Sequence, residues 1–224
     1  MSAAHPYFRP ILFDFDGTVA DTHPGIVQAL ALSLAEEGLP ALEAHRVHPL
    51  TGRGVQELVA GALAALTGDC SATDRVHRLA DVYRVHYTRL CADGSALYAG
   101  MDSLLRALPA PLALLTNKPR PFTTLILDHL GLADRFDVVV AGDDPGAERK
   151  PSPWGIEQAL ARLGCGAEGA LFVGDSVSDA AAGVAAGVAT CVVAWGYGGE
   201  RALAEATFQA DTVDRLAALL WHGP

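Results

Sequence analysis

Short apolar runs recur along the chain, and a polar residue follows each of them within two positions. Four such runs cover residues 11–13, 112–115, 138–141 and 171–173. Continuous apolar runs of this length are typical of strands that are buried on both faces of a parallel sheet. Helical patterns lie at residues 121–130, 153–163, 178–186 and 212–220, with a further strand pattern at 190–194. This alternation predicts an α/β fold with a doubly wound, Rossmann-like parallel sheet.

Residues 24–94 interrupt the alternation. They carry amphipathic helical patterns at 26–37, 55–66 and 74–90, without a clear strand pattern. We therefore expect a small α-helical cap domain of residues 24–94, inserted into a catalytic core of residues 1–23 and 95–224. Gly94 and Gly100 flank the return to the core, so they are candidate hinges of a cap that opens and closes.

Composition and charge narrow the range of partners. Half of the 224 residues are hydrophobic and 19% are charged, which indicates a chain that can bury a sizeable core. The formal net charge of -10 repels nucleic acid and anionic membranes, so we expect neither as a partner. The first apolar run stops at Asp14, which predicts no signal peptide or membrane helix and therefore a cytoplasmic protein. The sequence leaves both a monomer and a homodimer open.

Two carboxylates, Asp14 and Asp16, follow the first predicted strand. Ligands of open α/β sheets bind beyond the carboxyl ends of the strands, so chemistry is expected here. One carboxylate can attack a substrate as a nucleophile, while the other exchanges a proton with the leaving-group oxygen. Gly17 lets the backbone turn close to a ligand, and Gly17 and Thr18 are candidate substrate-binding residues. The alternative is an acidic turn in which Thr18 caps a helix.

Thr116 and Lys150 offer groups that bind phosphate. Thr116 follows the second apolar run, where its hydroxyl and nearby backbone amides can hold phosphoryl oxygens, although a helix cap is the alternative. Lys150 precedes a proline, and its ammonium can neutralise charge near the nucleophile, although a solvated loop lysine is the alternative. It is one of two lysines among 16 basic residues. We interpret the other, Lys118, as a surface residue beside the pocket, and Asn117 as a candidate substrate contact.

Asp175 follows the fourth apolar run and is a candidate ligand for Mg²⁺. Mg²⁺ prefers hard oxygen donors in octahedral geometry, which Asp14, Asp175 and the backbone carbonyl of Asp16 can supply. Asp179 lies one helical turn further on. It either orients the metal's waters or Lys150, or favours the start of a helix as an acidic first-turn residue.

The predicted cap contributes one candidate, Arg53, in the segment Thr51-Gly52-Arg53-Gly54. The guanidinium of Arg53 can bind a substrate carboxylate through two hydrogen bonds. The alternative is an exposed loop arginine that has no part in binding.

The segment 14–22, Asp-Phe-Asp-Gly-Thr-Val-Ala-Asp-Thr, resembles the opening motif of the haloacid dehalogenase superfamily, in its phosphoglycolate-phosphatase-like branch. Three further motifs of that superfamily have candidates in the expected order, at Thr116, Lys150 and Asp175. The resemblance implies a Mg²⁺-dependent phosphatase that hydrolyses a small phosphomonoester, such as 2-phosphoglycolate, through an aspartyl-phosphate on the first aspartate. It assigns acid/base catalysis to Asp16, phosphate binding to Thr116 and the catalytic cation to Lys150.

Other reactions of the superfamily fit the residues less well. A dehalogenase needs only the nucleophile, whereas Asp16 supplies an acid for phosphoryl transfer. A phosphonoacetaldehyde hydrolase needs a lysine in its cap, and no lysine precedes Lys118. A hexose-phosphate mutase can use the same four motifs and is an open alternative, as is a noncatalytic phosphate-binding module that kept the fold.

Overall fold

The four apolar runs form neighbouring strands in the computed structural model, which describes residues 6–68, 73–109 and 111–224. The strands are β1 (Ile11–Phe13), β2 (Ala20–Asp21), β3 (Ala96–Leu97), β4 (Leu112–Leu115), β5 (Val138–Val140), β6 (Leu171–Gly174), β7 (Ala189–Val193) and β8 (Phe208–Ala210). Six of them form one sheet in the order β5-β4-β1-β6-β7-β8, with every neighbouring pair parallel. The predicted α/β fold with a parallel sheet is confirmed.

Helices connect these strands. They are α1 (His23–Glu36), α2 (Ala44–Val47), α3 (Val55–Thr67), α4 (Thr73–Leu90), α5 (Met101–Ala107), α6 (Arg120–His129), α7 (Trp154–Leu163), α8 (Val177–Ala186), α9 (Gly199–Ala204) and α10 (Val213–His222), with a 3₁₀ helix at His48–Leu50. The longer helices occur where the sequence predicts them. The short helices α2, α5 and α9 are not predicted, because one or two turns carry too little periodicity. Within the described residues, no helix has both the length and the apolar character needed to cross a membrane.

Helices cover both faces of the sheet. Successive residues of a strand point to opposite sides, so each strand contributes side chains to a hydrophobic cluster on each face. Along β1, Ile11 and Phe13 belong to a hydrophobic cluster that includes Leu30 and Leu34 of α1. Leu12 belongs to a second cluster, which includes residues of α7. Each fully buried leucine contributes about 1.5–3 kcal/mol to stability. The first cluster extends from the sheet into the helices between β2 and β3, so that both parts share one hydrophobic interior.

The helices α1 to α4 lie between β2 and β3, which pair in antiparallel fashion. The chain therefore leaves the sheet and returns to it side by side. Next to this pair, the Gly25 N–H donates to the Gly94 carbonyl (3.2 Å), and a Cβ on Gly94 would lie 2.5 Å from the Cα of Gly25. A side chain at Gly94 has no room there, which explains the glycine. The division into a cap of residues 24–94 and a core is still a prediction.

The register of the sheet aligns the ends of its central strands. Phe13 of β1 pairs with a residue of β4 on one side and a residue of β6 on the other. These three strands therefore end together. The segments that begin at Asp14, Thr116 and Asp175 leave from the same edge of the sheet.

Candidate active site

Three buried carboxylates meet at this carboxyl edge. Asp14 extends β1, where its N–H donates to the carbonyl of Val173 (2.8 Å). Asp175 follows β6, and Asp179 lies in the first turn of α8. One oxygen from each carboxylate lies within 4.8 Å of the other two, and none of the three residues is more than 6% exposed. Such a set of hard oxygen donors fits a divalent cation.

The carboxylate cluster carries more negative charge than its surroundings neutralise. Burial raises the pKa of Asp14 well above its usual range, although the neighbouring Lys150 opposes the shift. Burial, and after it the charge of Asp179, raise the pKa of Asp175 to about 7. Both shifts have the direction expected for buried carboxylates that lack enough positive charge, which a bound cation would supply.

Lys150 links two of these carboxylates. Its side chain is 8% exposed, and its Nζ donates to Asp14 Oδ1 (2.5 Å) and lies 2.7 Å from Asp179 Oδ1. Burial favours the neutral amine, but the attraction of Asp14 and Asp179 outweighs it and raises the pKa of Lys150. The ammonium is therefore charged at neutral pH, and it can offset the charge of Asp14 or of a phosphoryl group.

Asp179 is held by the start of α8. It forms a capping box with Ser176, in which Asp179 Oδ2 accepts from the N–H groups of Ser176 (2.9 Å) and Asp175 (3.2 Å). Its other oxygen is the one that contacts Lys150. Asp179 thus both caps a helix and contacts Lys150, whereas its effect on metal-bound water is still a prediction.

Thr116 and Asn117 form the turn after β4. The Thr116 hydroxyl accepts from the N–H of Lys118 (3.1 Å). Asn117 Oδ1 accepts from the N–H of Lys150 (2.9 Å), and Asn117 Nδ2 donates to the carbonyl of Gly52 (2.9 Å). Asn117 therefore ties the Lys150 segment to the segment between the 3₁₀ helix and α3. A contact of Asn117 with substrate is still a prediction.

A cavity of about 820 Å³ opens above the carboxylate cluster. The predicted site residues in its wall are Asp14, Asp16, Arg53, Thr116, Asn117, Lys150 and Asp175. The structure therefore brings these residues together around one space. Arg53 is exposed, and its backbone carbonyl accepts from Arg149 Nη1 (3.3 Å). A contact of its guanidinium with substrate is still a prediction.

Gly17 and Thr18 are placed differently from the other predicted residues. Among the described residues that line the large cavity, neither is present. Their N–H groups donate inside the turn, to the carbonyls of Ala20 (2.9 Å) and Phe15 (3.3 Å). Gly17 has a φ of +83°, and a Cβ there would lie 2.5 Å from Asp175 Oδ2. The glycine thus lets the turn pack directly against the Asp175 carboxylate.

The Asp16 side chain lies apart from the carboxylate cluster and is 11% exposed. Its Oδ1 accepts from the hydroxyl of Thr22 (2.5 Å) and lies 3.1 Å from Lys118 Nζ. Both contacts use the same oxygen. Oδ2 is therefore the atom that can exchange a proton with a ligand.

The interpretation of Lys118 as a surface residue is wrong. Its side chain is 5% exposed and contacts Asp16. The Lys118 Nζ also donates to the hydroxyl of Tyr87 on α4 (2.6 Å). The turn after β4 folds this lysine inward beneath α4, through a long-range contact that no local pattern reveals. The rarity of lysine in the chain is the one sequence signal that pointed to it.

Sequence reasoning does not identify Tyr197, although it contacts the carboxylate cluster. Its N–H donates to Asp175 Oδ2 (2.5 Å), and its hydroxyl donates to Asp21 Oδ1 (2.8 Å). Tyr197 thus links the cluster to the strand that leads into α1. A Cβ on the neighbouring Gly196 would lie 2.3 Å from the Cβ of Asp175. The glycines around Tyr197 were the available signal, because they mark a close approach of two backbone segments.

Comparison with known proteins gives one consistent family. The chain matches the model of the haloacid dehalogenase-like hydrolases over residues 8–187. It is 36% identical over 199 residues to the phosphoglycolate phosphatase of Yersinia pseudotuberculosis, covering 88% of this chain and 85% of that protein. It is 39% identical over 199 residues to the phosphoglycolate phosphatase of Rhodospirillum rubrum, covering 86% of this chain and 82% of that protein. The structure of CbbY from Rhodobacter sphaeroides in complex with phosphate is similar with a TM-score of 0.75 at 29% identity, covering 93% of this chain and 95% of that one.

Proposed function

We propose that Asp14 is the nucleophile of this enzyme. The chain belongs to the haloacid dehalogenase-like hydrolases, in their phosphoglycolate-phosphatase-like branch, and is a phosphoric monoester hydrolase. The proposed substrate is 2-phosphoglycolate or a similarly small phosphomonoester, because relatives named for that activity match most of the chain. The observation that carries the proposal is the contact between Lys150 Nζ and Asp14 Oδ1 (2.5 Å) in a cavity that Asp16 also lines.

In the first step, the Asp14 carboxylate attacks phosphorus and the bond from phosphorus to the leaving-group oxygen breaks. Asp16 gives its proton to that oxygen through Oδ2, so the product leaves as an alcohol. Lys150 and Thr116 hold the phosphoryl oxygens during the transfer and offset their charge. The step leaves an aspartyl-phosphate on Asp14 and a carboxylate on Asp16.

In the second step, Asp16 takes a proton from a water molecule as that water attacks phosphorus. The bond from phosphorus to the Asp14 oxygen then breaks, which releases inorganic phosphate and restores the Asp14 carboxylate. Asp16 is protonated again and ready for the next substrate. One carboxylate therefore serves first as acid and then as base.

Mg²⁺ is the proposed cofactor, held by Asp14, Asp175 and the backbone carbonyl of Asp16. When bound, it supplies positive charge that offsets the repulsion between Asp14 and an anionic phosphoryl group. The clustered carboxylates and the raised pKa values of Asp14 and Asp175 support this fit. In this arrangement Asp179 keeps Lys150 in place.

We also propose that residues 24–94 act as a cap over the site. Closure of such a cap excludes bulk water and brings its side chains to the substrate. The partner is a small phosphorylated metabolite, since the net charge of -10 disfavours nucleic acid. We place the enzyme in the cytoplasm, as a monomer or homodimer.

The test is phosphate release by the purified, metal-stripped protein with and without added Mg²⁺. The panel contains 2-phosphoglycolate, hexose phosphates, nucleoside monophosphates and pyrophosphate. We expect release to require Mg²⁺ and kcat/KM to be highest for 2-phosphoglycolate. Little net release together with dependence on a bisphosphate activator would indicate a hexose-phosphate mutase. Ligand binding without any turnover would indicate a noncatalytic module.

A further inference from the structure

A second, smaller cavity adjoins the large one at Asp16. Its lining includes Asp16, Lys118, Leu50, Leu58, Tyr83 and Phe122, and we name it the Lys118 cavity. Its volume is about 40 Å³, with room for about three water-sized groups. The residues that line both spaces, and so form the boundary between them, are Asp16, Thr51, Gly52 and Asn117. Asp14 and Lys150 line the large cavity, which is therefore the phosphoryl side of that boundary.

The wall of the Lys118 cavity is mostly apolar and comes from two parts of the chain. Leu58 lies on α3 and Tyr83 on α4, whereas Phe122 lies on α6, which follows a strand of the sheet. An ionic group in such surroundings is costly unless an opposite charge pairs with it. Among the described residues of this wall, Lys118 is the one cation.

The ammonium of Lys118 has a hydrogen-bond donor to spare. It carries three N–H groups. In the described parts of the chain, two acceptors lie within reach of its Nζ, the hydroxyl of Tyr87 (2.6 Å) and Asp16 Oδ1 (3.1 Å). Burial raises the pKa of Tyr87 well above its usual range, so Tyr87 is a neutral phenol and does not neutralise the lysine. One N–H group is therefore available for a ligand. Because Asp16 carries a proton at the start of the proposed first step, the ammonium can then pair with an anionic ligand.

We propose that Lys118 binds a carboxylate on the leaving group of the substrate, which occupies the Lys118 cavity during the first step. This inference rests on the proposed function. Asp16 has to reach the ester oxygen, and Lys118 lies beside Asp16. A carboxyl group bonded directly to the ester carbon therefore comes within reach of Lys118 while the phosphoryl group lies next to Asp14. The small volume excludes a hexose from the same place.

Arg53 is the other cation considered for a substrate carboxylate. It is exposed and lines the large cavity, on the phosphoryl side of Asp16. It is absent from the described lining of the Lys118 cavity. Water and salt screen an exposed cation, whereas a buried one distinguishes an anionic ligand from a neutral ligand more strongly. The geometry therefore assigns the carboxylate to Lys118.

The test compares two substrates of nearly equal size, 2-phosphoglycolate and ethylene glycol monophosphate. The first has a carboxylate where the second has a hydroxymethyl group. We expect wild-type kcat/KM to be on the order of 100-fold higher for 2-phosphoglycolate, as is typical for a buried charge pair. Lys118→Met should bring this ratio close to unity, mainly through the loss on 2-phosphoglycolate. Arg53→Met, the matched control, should leave the ratio within about 3-fold of the wild-type value.

The ratio of the two kcat/KM values separates two roles of Lys118, binding of the substrate carboxylate and positioning of Asp16. Because Lys118 also contacts Asp16, Lys118→Met is expected to slow both substrates. An equal loss on both would mean that Lys118 only positions Asp16, and it would overturn the inference. Lys118→Gln serves the same comparison if the methionine variant does not fold.

The wild-type protein supplies an independent measurement. Free glycolate should inhibit it competitively, and far more strongly than ethylene glycol does. Equal hydrolysis of the two substrates by the wild type would overturn the inference and leave the proposed function intact. Failure to hydrolyse any phosphomonoester would overturn both.

Discussion

The two cavities that meet at Asp16 are built in different ways. The floor of the large cavity consists of residues that directly follow strands, such as Asp14, whose N–H donates to the carbonyl of Val173 in the neighbouring strand. The Lys118 cavity is closed by side chains from separate parts of the chain, such as Tyr87 of α4 above Lys118. In the proposed enzyme, the reacting groups therefore depend on the sheet, whereas the selection of the leaving group depends on how α3 and α4 pack over it.

The two cavities also differ in charge. At the floor of the large cavity, three carboxylates face the single ammonium of Lys150. In the Lys118 cavity, one ammonium faces the carboxylate of Asp16. The first region needs a cation to become balanced. In the second, Asp16 carries a proton at the start of the proposed reaction, so the ammonium of Lys118 can pair with a substrate carboxylate. Removal of metal or of a charged group should therefore affect them differently.

Asp14→Asn should have the largest effect, because an amide does not attack phosphorus. We expect kcat to fall by at least about 10⁴-fold for every substrate. Phosphate release at saturating substrate measures the loss, and intact-protein mass spectrometry excludes deamidation back to aspartate. Asp134→Asn, at an exposed position, is the matched control and should keep wild-type activity. An active Asp14→Asn protein of the correct mass would contradict the aspartyl-phosphate.

Lys150→Met should come next and should lower kcat by roughly 10²–10³-fold. The loss should be equal for 2-phosphoglycolate and ethylene glycol monophosphate, unlike the selective loss expected for Lys118→Met. The variant also leaves Asp14 and Asp179 without their buried partner, which costs about 3–5 kcal/mol of unfolding free energy in the absence of metal. Urea unfolding measures that cost. A selective loss on 2-phosphoglycolate would instead place Lys150 on the leaving-group side.

Removal of metal should lower the stability of the folded protein in a pH-dependent way, through the carboxylates of the large cavity. The pKa of Asp175 is raised to about 7, so the folded, metal-free protein holds a proton there that the unfolded chain has released. The resulting stability is fully present below the unfolded pKa of about 3.9 and is lost as the pH rises through about 7. We therefore expect the Tm of the metal-free protein to fall as the pH rises from about 5 to about 8, because of this group.

Added Mg²⁺ competes with that proton, so it should raise the Tm more at about pH 8 than at about pH 5. Thermal unfolding at both pH values, with and without Mg²⁺, measures the difference. Asp175→Asn is the control, and it should lose this part of the pH dependence and most of the response to Mg²⁺. An equal response of the wild type at both pH values would argue against Asp175 as a ligand.

Tyr197→Phe should have the smallest effect. It removes the hydroxyl that accepts from the N–H of Thr22 (2.9 Å) and donates to Asp21, which should cost about 1–2 kcal/mol of unfolding free energy. The backbone N–H that donates to Asp175 is kept, so the Kd for Mg²⁺ should not change. Urea unfolding and Mg²⁺ titration test the two parts. Tyr7→Phe, at a side chain that is 61% exposed, should stay within about 0.5 kcal/mol of wild type.

An element can be predicted from the sequence when its burial is visible in the pattern of apolar residues along a short segment. The strand β1 is predicted because both of its faces are buried, which makes the run continuously apolar. Asp14 and Asp175 are singled out because they interrupt such runs at the carboxyl end of a strand. Short elements such as β2 and α9 are missed, since two to six residues hold too little periodicity.

The parallel sheet, the long helices and the candidate residues that follow the strands can all be predicted from the amino-acid sequence alone. Three features depend on the folded structure: the buried position of Lys118, the contact of Tyr197 with Asp175, and the packing of Gly17 against Asp175 outside the cavity lining. Strand and helix patterns reflect burial along a short segment, which the residues encode locally. The packing of α4 over the turn after β4 joins residues that are far apart in the chain, so it depends on the shape of the whole folded interior.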